Sequence, residues 1–390
     1  MTVLAASSRM APGARISDVR ARLREGGAGP LHEGRVLRLW TQALAWDSPR
    51  KHPADFLPRS LDLAMPAIAA SLDGLVRLSL RESSAADEGE RLLFELCDGQ
   101  SIESVLLPRE GVCVSTQVGC AVGCTFCMTG RSGLLRQLGS AEIVAQVVAA
   151  RRIRPVRKVV FMGMGEPSHN LDNVCEAIDL LGTEASIAHK NLVFSTVGDP
   201  RVFERLPRER VRPALALSLH STRASMRAQL LPRAPLMSPE ALVEAADAYG
   251  RATGYPVQYQ WTLIEGVNDT DEEVEGIARL LSGRYGVMNL IPFNTVPDLD
   301  YRRPDWQRAA AIARTLHRRG ILTKLRRSAA QDVEGGCGQL RARVISGPQP
   351  GRRAGAAGAG GPGVGVRPPA PPGAVVAAGV AAGGVSGGGA

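Results

Sequence analysis

The chain has 390 residues, a net charge of +9 and seven cysteines. This length allows one large domain and a smaller one. The uneven cysteine spacing argues against a small secreted protein stabilised by disulfides. The chain has no apolar run of ~20 residues, which a membrane span would need. We therefore expect a cytoplasmic protein. The basic charge favours a polyanionic partner such as RNA, although a codon bias towards arginine would produce the same excess.

The first part of the chain, residues 1–100, predicts a small α+β module. Residues 1–35 are rich in Ala, Gly and Arg, and we expect them to be poorly ordered at their start. Apolar residues at helical spacing over 37–44 predict an amphipathic helix. The alternating segments 75–80 and 91–96 predict two paired strands.

Residues 101–346 alternate between strand-like and helix-like segments. The candidate strands are 112–115, 158–162, 192–195, 214–219, 257–263, 288–291 and 322–325. A helix is predicted over 140–152, with an N-cap at Ser238 and a capping box from Thr270 to Glu273. This alternation predicts parallel βαβ units, in an open sheet or a partial barrel, with a site at the carboxyl ends of the strands. Residues 347–390 form a Gly/Ala/Pro-rich tail that we expect to be disordered.

Three cysteines, Cys120, Cys124 and Cys127, have the spacing C-x-x-x-C-x-x-C. Three thiolates on one short loop can hold three irons of a 4Fe–4S cluster and leave the fourth iron without a protein ligand. The alternative is structural zinc, which usually takes four ligands in C-x-x-C pairs. No Cys or His lies within the forty residues after Cys127 to complete such a set, so the spacing favours the cluster.

Glycine-rich or small polar segments follow several predicted strands. The turn 163–167 (Gly-Met-Gly-Glu-Pro) allows a ligand to approach the backbone closely, and Glu166 is suited to bind an ammonium group. Ser195, the run Ser218-Leu219-His220 and Asn294 end other strands. Taken alone, each of these residues is more often a cap, a turn or a structural residue.

Cys337 lies between glycines after the last predicted strand, on a segment that the glycines predict to be flexible and accessible. Such a thiol is a candidate reactive group, whereas Cys97 and Cys175 lie among apolar residues and are predicted to be core residues. Just before it, segment 301–327 holds nine basic residues and one acidic residue. That charge of +8 is typical of a contact with an RNA backbone, or of a solvated helix face.

The cysteine spacing is similar to that of the radical S-adenosylmethionine (SAM) enzymes, and the chain resembles their RlmN/Cfr family from about residue 35 to 344. These enzymes methylate an adenosine of 23S ribosomal RNA. The resemblance rests on segments 113–120, 163–167, 218–220, 289–294 and 337–340. It implies a partial (β/α)6 radical SAM barrel in which Cys120, Cys124 and Cys127 bind the 4Fe–4S cluster. The residues that it implies as SAM contacts are Gly165, Glu166, Ser195, Ser218, Leu219, His220 and Asn294.

The resemblance also implies a reaction that consumes two SAM molecules. One SAM methylates Cys337, and the second is cleaved reductively to a 5′-deoxyadenosyl radical that takes hydrogen from the S-methyl group. The resulting carbon radical adds to the adenine ring, and Glu103 matches the family's proton acceptor. Cys113 then attacks the sulfur of Cys337 and leaves a disulfide between them. An electron donor such as flavodoxin or ferredoxin is implied as a partner, and we expect a monomer.

The sequence departs from the family next to Cys337. The usual Gly-Asp-Asp-Ile is replaced within residues 329–333 by Ala-Ala-Gln-Asp-Val, and two alanines are replaced by Gly335 and Gly336. The N-terminal module, a candidate RNA contact, matches weakly. These departures leave C2 (the common family outcome) and C8 (the outcome that gives antibiotic resistance) both open, and tRNA open as a second substrate. A radical SAM enzyme with a non-RNA substrate and a zinc-containing RNA-binding module are the remaining alternatives.

Overall fold

A ten-stranded sheet organises the computed structural model, which describes residues 10–49, 52, 55–131, 133–296 and 299–342. Three helices come first in the chain: α1 (Ile16–Glu25), α2 (Pro30–Thr41) and α3 (Arg59–Asp73). Four antiparallel strands follow: β1 (Val76–Ser83), β2 (Glu90–Leu96), β3 (Ser101–Leu107) and β4 (Gly111–Cys113). The predicted pairing of 75–80 with 91–96 is confirmed, because Val76 lies opposite Leu96.

Beyond β4 the chain alternates between strands and helices. The further strands are β5 (Gln117–Gly119), β6 (Leu134–Gln137), β7 (Lys158–Phe161), β8 (Leu192–Thr196), β9 (Ala214–Ser218), β10 (Val257–Leu263), β11 (Gly286–Pro292) and β12 (Thr323–Leu325). The further helices are α4 (Ser140–Arg151), α5 (Leu171–Thr183), α6 (Pro200–Arg205), α7 (Ala224–Leu230), α8 (Pro239–Thr253), α9 (Asp271–Leu281) and α10 (Trp306–Arg318).

Strands β4, β7, β8, β9, β10, β11 and β12 lie side by side in that order, and each pair of neighbours is parallel. At least one helix connects each strand of this series to the next, since parallel neighbours need a crossover. The predicted α/β fold, a partial (β/α)6 barrel, is therefore confirmed. Strands β5 and β6 form a separate antiparallel pair next to the barrel.

Two helices, α1 and α2, begin within the segment 1–35, where the sequence suggested poor order at the start. In α1 the residues Ile16, Val19 and Leu23 are buried, at the spacing of one helix face. The Ile16 amide also donates a hydrogen bond of 2.8 Å to the Ser140 hydroxyl at the start of α4. Burial of this face against the sheet domain outweighs the Arg-rich and Gly-rich composition that suggested disorder.

Two helix caps were predicted from the sequence, and their outcomes differ. Ser238 caps α8 as predicted, accepting a hydrogen bond from the Ala241 amide. Thr270 likewise accepts from the Glu273 amide at 3.4 Å, but the Glu273 carboxylate turns away to the loop after β9. Only half of the predicted capping box therefore forms.

In the described part of the chain, no helix combines the length and the apolar character needed to cross a bilayer. The predicted tail 347–390 lies outside the described residues. The domain boundary near residue 100 stays a prediction, and β3 and β4 beyond it continue the sheet that β1 and β2 begin.

Candidate active site

The candidate site residues meet at one edge of the barrel, because the carboxyl ends of its parallel strands lie there. The cysteine loop follows β4 and β5, and the turn 163–167 follows β7. Ser195 lies next to the last residue of β8, Ser218 ends β9, and Asn294 follows β11. The structure thus brings the predicted residues of five separate segments to a common edge.

The cysteine loop, residues 120–133, connects β5 to β6. It closes through a hydrogen bond of 3.0 Å from the Cys120 amide to the Gly133 carbonyl. Gly119 has a φ of +79°, and a Cβ there would lie 1.9 Å from the Gly133 oxygen, so only glycine fits. Desolvation raises the pKa of Cys120 to about 12 and that of Cys124 well above its ordinary value, and a charge on Cys127 raises both. Cys120 is buried, and Cys124 and Cys127 pack, partly buried, against the same apolar cluster.

The surroundings of these thiols fit an iron–sulfur cluster. The side chains packed around them are apolar: Val122, Phe126, Met128, Val197, Met226, Leu230, Leu231, Ile264, Phe293 and Val296. Among the described residues, no three His, Cys, Asp or Glu side chains are placed as ligands of a single metal ion. In a 4Fe–4S cluster each cysteine binds a different iron, so the sulfurs need not converge on one point. The three cysteines on one loop and their apolar surroundings therefore fit a 4Fe–4S cluster.

The turn after β7 packs tightly against the strand that leads to the cysteine loop. A Cβ at Gly163 would lie 2.7 Å from the Val114 carbonyl oxygen. Gly165 has a φ of +105°, and a Cβ there would lie 2.7 Å from the Gln117 side chain. Both glycines are required for this close approach, as the sequence suggested.

Glu166 is a buried carboxylate in this turn. Its two oxygens accept hydrogen bonds of 3.1 Å from the amides of Ser168 and Val197. Burial raises the pKa of Glu166. Beside it, the hydroxyls of Thr116 and Ser168 are buried without a hydrogen-bond partner in the described structure. A buried anion next to unpaired hydroxyls fits a site for a polar, cationic ligand, as SAM would be.

His220 links the end of β9 to the cysteine loop. It has a φ of +60°, uncommon for a residue other than glycine, and its ring meets Phe126 edge to face with centroids 4.9 Å apart. Burial lowers the pKa of His220 to about 3, so the ring is neutral at physiological pH. Its Nδ1 accepts a hydrogen bond of 2.9 Å from the Thr262 amide, which leaves the proton on Nε2.

The segment that carries Cys337 lies directly on the cysteine loop. The Met128 amide donates a hydrogen bond of 2.8 Å to the Gly338 carbonyl. The Asn294 side chain donates one of 2.9 Å to the Cys337 carbonyl. The backbone around Cys337 is thus held by hydrogen bonds, where its glycines suggested flexibility. The Cys337 side chain is nevertheless exposed.

Cys113 ends β4 and is buried. Burial raises the pKa of its thiol, and a charge on Cys337 raises it further. Although the Cys337 residue is exposed, the protein packed around its thiol raises the thiol's pKa, and a charge on Cys127 acts in the same direction, whereas the Ser328 hydroxyl and nearby Arg326 lower it. Cys337 therefore lies within electrostatic reach of both Cys113 and the cysteine loop, although more than two hundred residues separate it from Cys113.

Glu103 lies in β3, on the same face as Cys113, because Cys113 pairs with Val105 two residues away. Its carboxylate is fully buried and accepts hydrogen bonds of 2.5 Å from Arg91 and 2.9 Å from the Arg341 amide. Arg341 follows Cys337 by four residues. Glu103 therefore connects the β3–β4 pair to the segment that carries Cys337.

Comparisons with known proteins agree with this geometry. The model of the radical SAM superfamily matches residues 114–281. The crystal structure of a radical SAM methyltransferase from Sphaerobacter thermophilus is 35% identical, with a TM-score of 0.73 over 84% of this chain and 98% of that one. The chain belongs to the radical SAM superfamily.

Two relatives of this radical SAM protein are named probable RNA methyltransferases. The one from Leptothrix cholodnii is 70% identical over 85% of this chain and 95% of the relative. The one from Pseudomonas aeruginosa is 64% identical over 85% of this chain and 96% of the relative. Membership of the superfamily implies a 4Fe–4S cluster and SAM, as the sequence predicted.

One charged residue of this radical SAM site was missed by sequence reasoning. Arg227 in α7 is buried and donates hydrogen bonds to the carbonyls of Val197 and Ser218. Burial lowers its pKa to about 10, against the opposing effect of Cys124 and Glu166. It is thus a cation held between the cysteine loop and the carboxylate. In a chain so rich in arginine, only its burial distinguishes it, and the sequence carries no signal of that.

Proposed function

We propose that this radical SAM protein is a member of the RlmN/Cfr family that methylates a ring carbon, C2, of an adenosine in 23S ribosomal RNA. The printed names of the relatives from Leptothrix cholodnii and Pseudomonas aeruginosa support an RNA substrate. The net charge of +9 also supports it. What distinguishes this reaction from other radical SAM chemistry is the use of two further cysteines, Cys113 and Cys337.

The observation that carries the proposal is the position of Cys337 between Cys113 and the cysteine loop. Hydrogen bonds from Met128 and Thr129 of that loop hold the carbonyls of Gly338 and Leu340, at 2.8 Å and 2.6 Å. An exposed cysteine adds little packing to the core, so a structural role does not explain the position of Cys337 beside the cysteine loop. A cysteine that carries a methyl group from one SAM to a second reaction needs this place.

Each step that the chain itself performs is assigned to a residue. Cys337 holds the methyl group as a thioether and, after its carbon has joined the adenine, tethers the product. The Cys113 thiolate then forms a bond to the Cys337 sulfur as the bond from that sulfur to the methylene carbon breaks. The electron pair of the broken bond stays on the carbon, which takes up a proton and becomes the methyl group. The two cysteines leave as a disulfide, and a reductant returns two electrons.

Glu103 is the proton acceptor in this proposal. Its buried carboxylate is held in place by hydrogen bonds from Arg91 and from the Arg341 amide, and the second of these ties it to the segment that carries Cys337. It shares a face of the sheet with Cys113, and so it lies beside the group that resolves the tether. Removal of the proton from the ring carbon there, together with return of one electron to the cluster that supplied it, would restore the aromatic base.

The remaining residues hold the cofactors. Cys120, Cys124 and Cys127 bind the 4Fe–4S cluster, which supplies the electron for reductive cleavage of SAM when it is bound. Glu166 binds the ammonium group of SAM, with Gly165 shaping its turn. The other proposed SAM contacts are Ser195, Ser218, Leu219, His220 and Asn294. One SAM methylates Cys337 and the second supplies the radical, so two are used per turnover.

The test is anaerobic reconstitution with iron and sulfide, followed by SAM, a reductant and protein-free 23S ribosomal RNA. We expect 5′-deoxyadenosine and one methyladenosine, whose ring position is read by mass spectrometry against C2 and C8 standards. Methylation at C8 would place the protein with Cfr. The absence of 5′-deoxyadenosine would refute the proposal, and 5′-deoxyadenosine without RNA methylation would indicate another substrate.

Cysteine variants test the roles of the two thiols. Cys113→Ala should stop after carbon–carbon bond formation and leave RNA covalently attached through Cys337. Cys337→Ala should abolish both methylation and attachment. Cys175→Ala is the matched control, because this buried thiol lies in α5, outside the segments that carry the site residues. Full RNA methylation by Cys337→Ala would contradict the proposed mechanism.

The remaining predictions concern partners and domains. We propose that flavodoxin or ferredoxin supplies the electrons, that the protein is monomeric, and that residues 1–100 contact the RNA. Transfer RNA is a second substrate to be tested in the same assay. An RNA truncated around the target adenosine, compared with intact 23S RNA, tests whether the N-terminal module reads a distant part of the substrate.

A further inference from the structure

One tryptophan stands apart from the others of the chain. Trp306 is the first residue of α10, and its side chain is 44% exposed, whereas Trp40 and Trp261 are buried. Helix α10 follows β11, so its first turn lies at the carboxyl edge of the barrel, where the candidate site is. A tryptophan ring exposed at this edge contributes less to the stability of the fold than a buried one, so its position calls for another explanation.

Arg327 accompanies this ring. Its guanidinium carbon lies 4.8 Å from the centroid of the Trp306 ring. It follows β12, whose carboxyl end lies at the same edge of the barrel. Planar stacks of tryptophan and arginine are surfaces on which nucleobases bind, because both present flat faces of the same size as a base.

The structure also sorts the basic segment 301–327 into two groups. Arg308 and Arg319 form ion pairs with Asp271 and Glu275 of α9, so their charges are neutralised locally. Arg326 and Arg327 form no ion pair with a carboxylate in the described part of the chain. Arg314 and Arg318 also form no ion pair with a carboxylate among the described residues, so Arg326 and Arg327 are distinguished by their place after β12, at the site edge, where a polyanion can approach them.

A short series of contacts joins this ring to the reacting cysteine. Ser328 follows Arg327, and its hydroxyl accepts a hydrogen bond of 2.8 Å from the Asn294 side chain. The same Asn294 amide group donates to the Cys337 carbonyl at 2.9 Å. Arg327 is therefore connected, through its neighbour Ser328 and through Asn294, to the segment that carries Cys337.

We propose that Trp306 and Arg327 form a nucleotide shelf: the indole stacks on one unpaired base beside the target adenosine, and the guanidinium pairs with that nucleotide's phosphate. This inference rests on the proposed function, since it takes the substrate to be RNA. The target adenosine must leave its own stack to reach Cys337. The base next to the target adenosine, stacked on Trp306, holds the RNA strand open at that point. This contact compensates part of the stacking energy that is lost when the adenosine leaves the helix.

The test measures the affinity of the reconstituted protein for a 23S RNA hairpin containing the target adenosine, by fluorescence anisotropy. Trp306→Ala should weaken binding by about five- to 150-fold, which corresponds to the ~1–3 kcal/mol expected for a stacking residue. Trp306→Phe keeps an aromatic face and should stay within about threefold of the wild type. Arg327→Gln should reduce the salt dependence of log Kd by about one unit, as for the loss of one phosphate contact.

Matched controls lie at the opposite edge of the barrel. Tyr285 is 42% exposed and precedes β11, and Arg279 is an exposed residue in the last turn of α9. Tyr285→Ala and Arg279→Gln should bind RNA as the wild type does. A hairpin with an abasic site in place of the neighbouring unpaired base should bind wild type and Trp306→Ala equally.

Three outcomes would overturn the shelf. Equal affinity of Trp306→Ala and wild type for the intact hairpin, with methylation preserved, refutes the shelf and leaves the proposed function standing. An equal loss in Tyr285→Ala indicates a general effect on folding. If Trp306→Ala or Arg327→Gln binds RNA as the wild type does but its cluster is reduced more slowly by flavodoxin, the surface is a contact for the electron donor instead. If the wild type neither binds nor methylates RNA, the proposed function itself fails.

Discussion

The carboxylate of Glu273 holds the turn that follows β9, and its removal should destabilise the fold and the site together. It accepts hydrogen bonds from Ser221 Oγ at 2.5 Å, from the Thr222 amide at 2.8 Å and from Thr222 Oγ1 at 2.6 Å. It also accepts one from Arg223 at 3.2 Å. Glu273 and Ser221 are fully buried, and Thr222 nearly so.

The size of the effect follows from these contacts. A buried donor left without its acceptor costs ~1–3 kcal/mol, and bonds to a charged acceptor are at the upper end. Three buried donors lose their acceptor in Glu273→Ala, and water that enters the vacated space recovers part of the loss. The Arg223 pair adds little, because that side chain is 35% exposed. We expect a loss of ~3–5 kcal/mol, and about half of that for Glu273→Gln, which keeps one acceptor oxygen.

The assay is urea unfolding of the cluster-free protein followed by circular dichroism, with wild type and variants compared at constant slope. Glu272→Ala is the matched control on the same helix turn, since this side chain is 66% exposed and pairs only with Arg223 at 3.3 Å. It should cost ~0.5 kcal/mol or less. Equal losses in Glu273→Ala and Glu272→Ala would refute the reasoning. SAM affinity should fall in Glu273→Gln as well, because the turn carries His220.

Three further predictions concern single residues. The folded pKa of His220 is about 3 against an ordinary 6.5, so its stabilising effect is present above pH 6.5 and lost as pH falls towards 3. Between pH 6 and 4.5 the cluster-free wild type should lose ~1.4 kcal/mol per pH unit more than His220→Gln in urea unfolding. Gly254 has a φ of +75° and free space around a Cβ, so Gly254→Ala should cost ~1 kcal/mol from backbone strain alone, measured the same way. Arg91→Met should cost ~3–5 kcal/mol by removing the guanidinium that pairs with the buried Glu103 carboxylate, and adding Glu103→Gln should recover most of it.

Each of these predictions has a result that would contradict it. Parallel pH profiles of wild type and His220→Gln would mean that the buried ring is not held neutral. A Gly254→Ala protein as stable as the wild type would mean that the end of α8 relaxes out of its left-handed conformation. If the double variant at positions 91 and 103 is as unstable as Arg91→Met, the cost comes from lost packing and not from an unpaired charge.

Local features of the fold were predictable from the sequence. The strands over 158–162, 192–195 and 257–263 and the Ser238 cap agree with the structure within a residue or two. Apolar periodicity and cap residues depend on interactions between residues a few positions apart in the sequence, so they can be recognised without the tertiary structure. The capping box at Thr270 failed in one half because a distant loop offers Glu273 more donors than its own helix does.

The spacing of Cys120, Cys124 and Cys127 was visible in the sequence by itself, because the three thiols lie on one short loop. The sequence also determined the alternation of strands and helices that makes a partial barrel. Only the tertiary structure decided that Cys337 lies against the cysteine loop, that Arg227 is buried beside Glu166, and that Arg91 pairs with Glu103. Those pairings depend on which strands and loops become neighbours, and a buried charge is recognisable only when its surroundings have displaced the water.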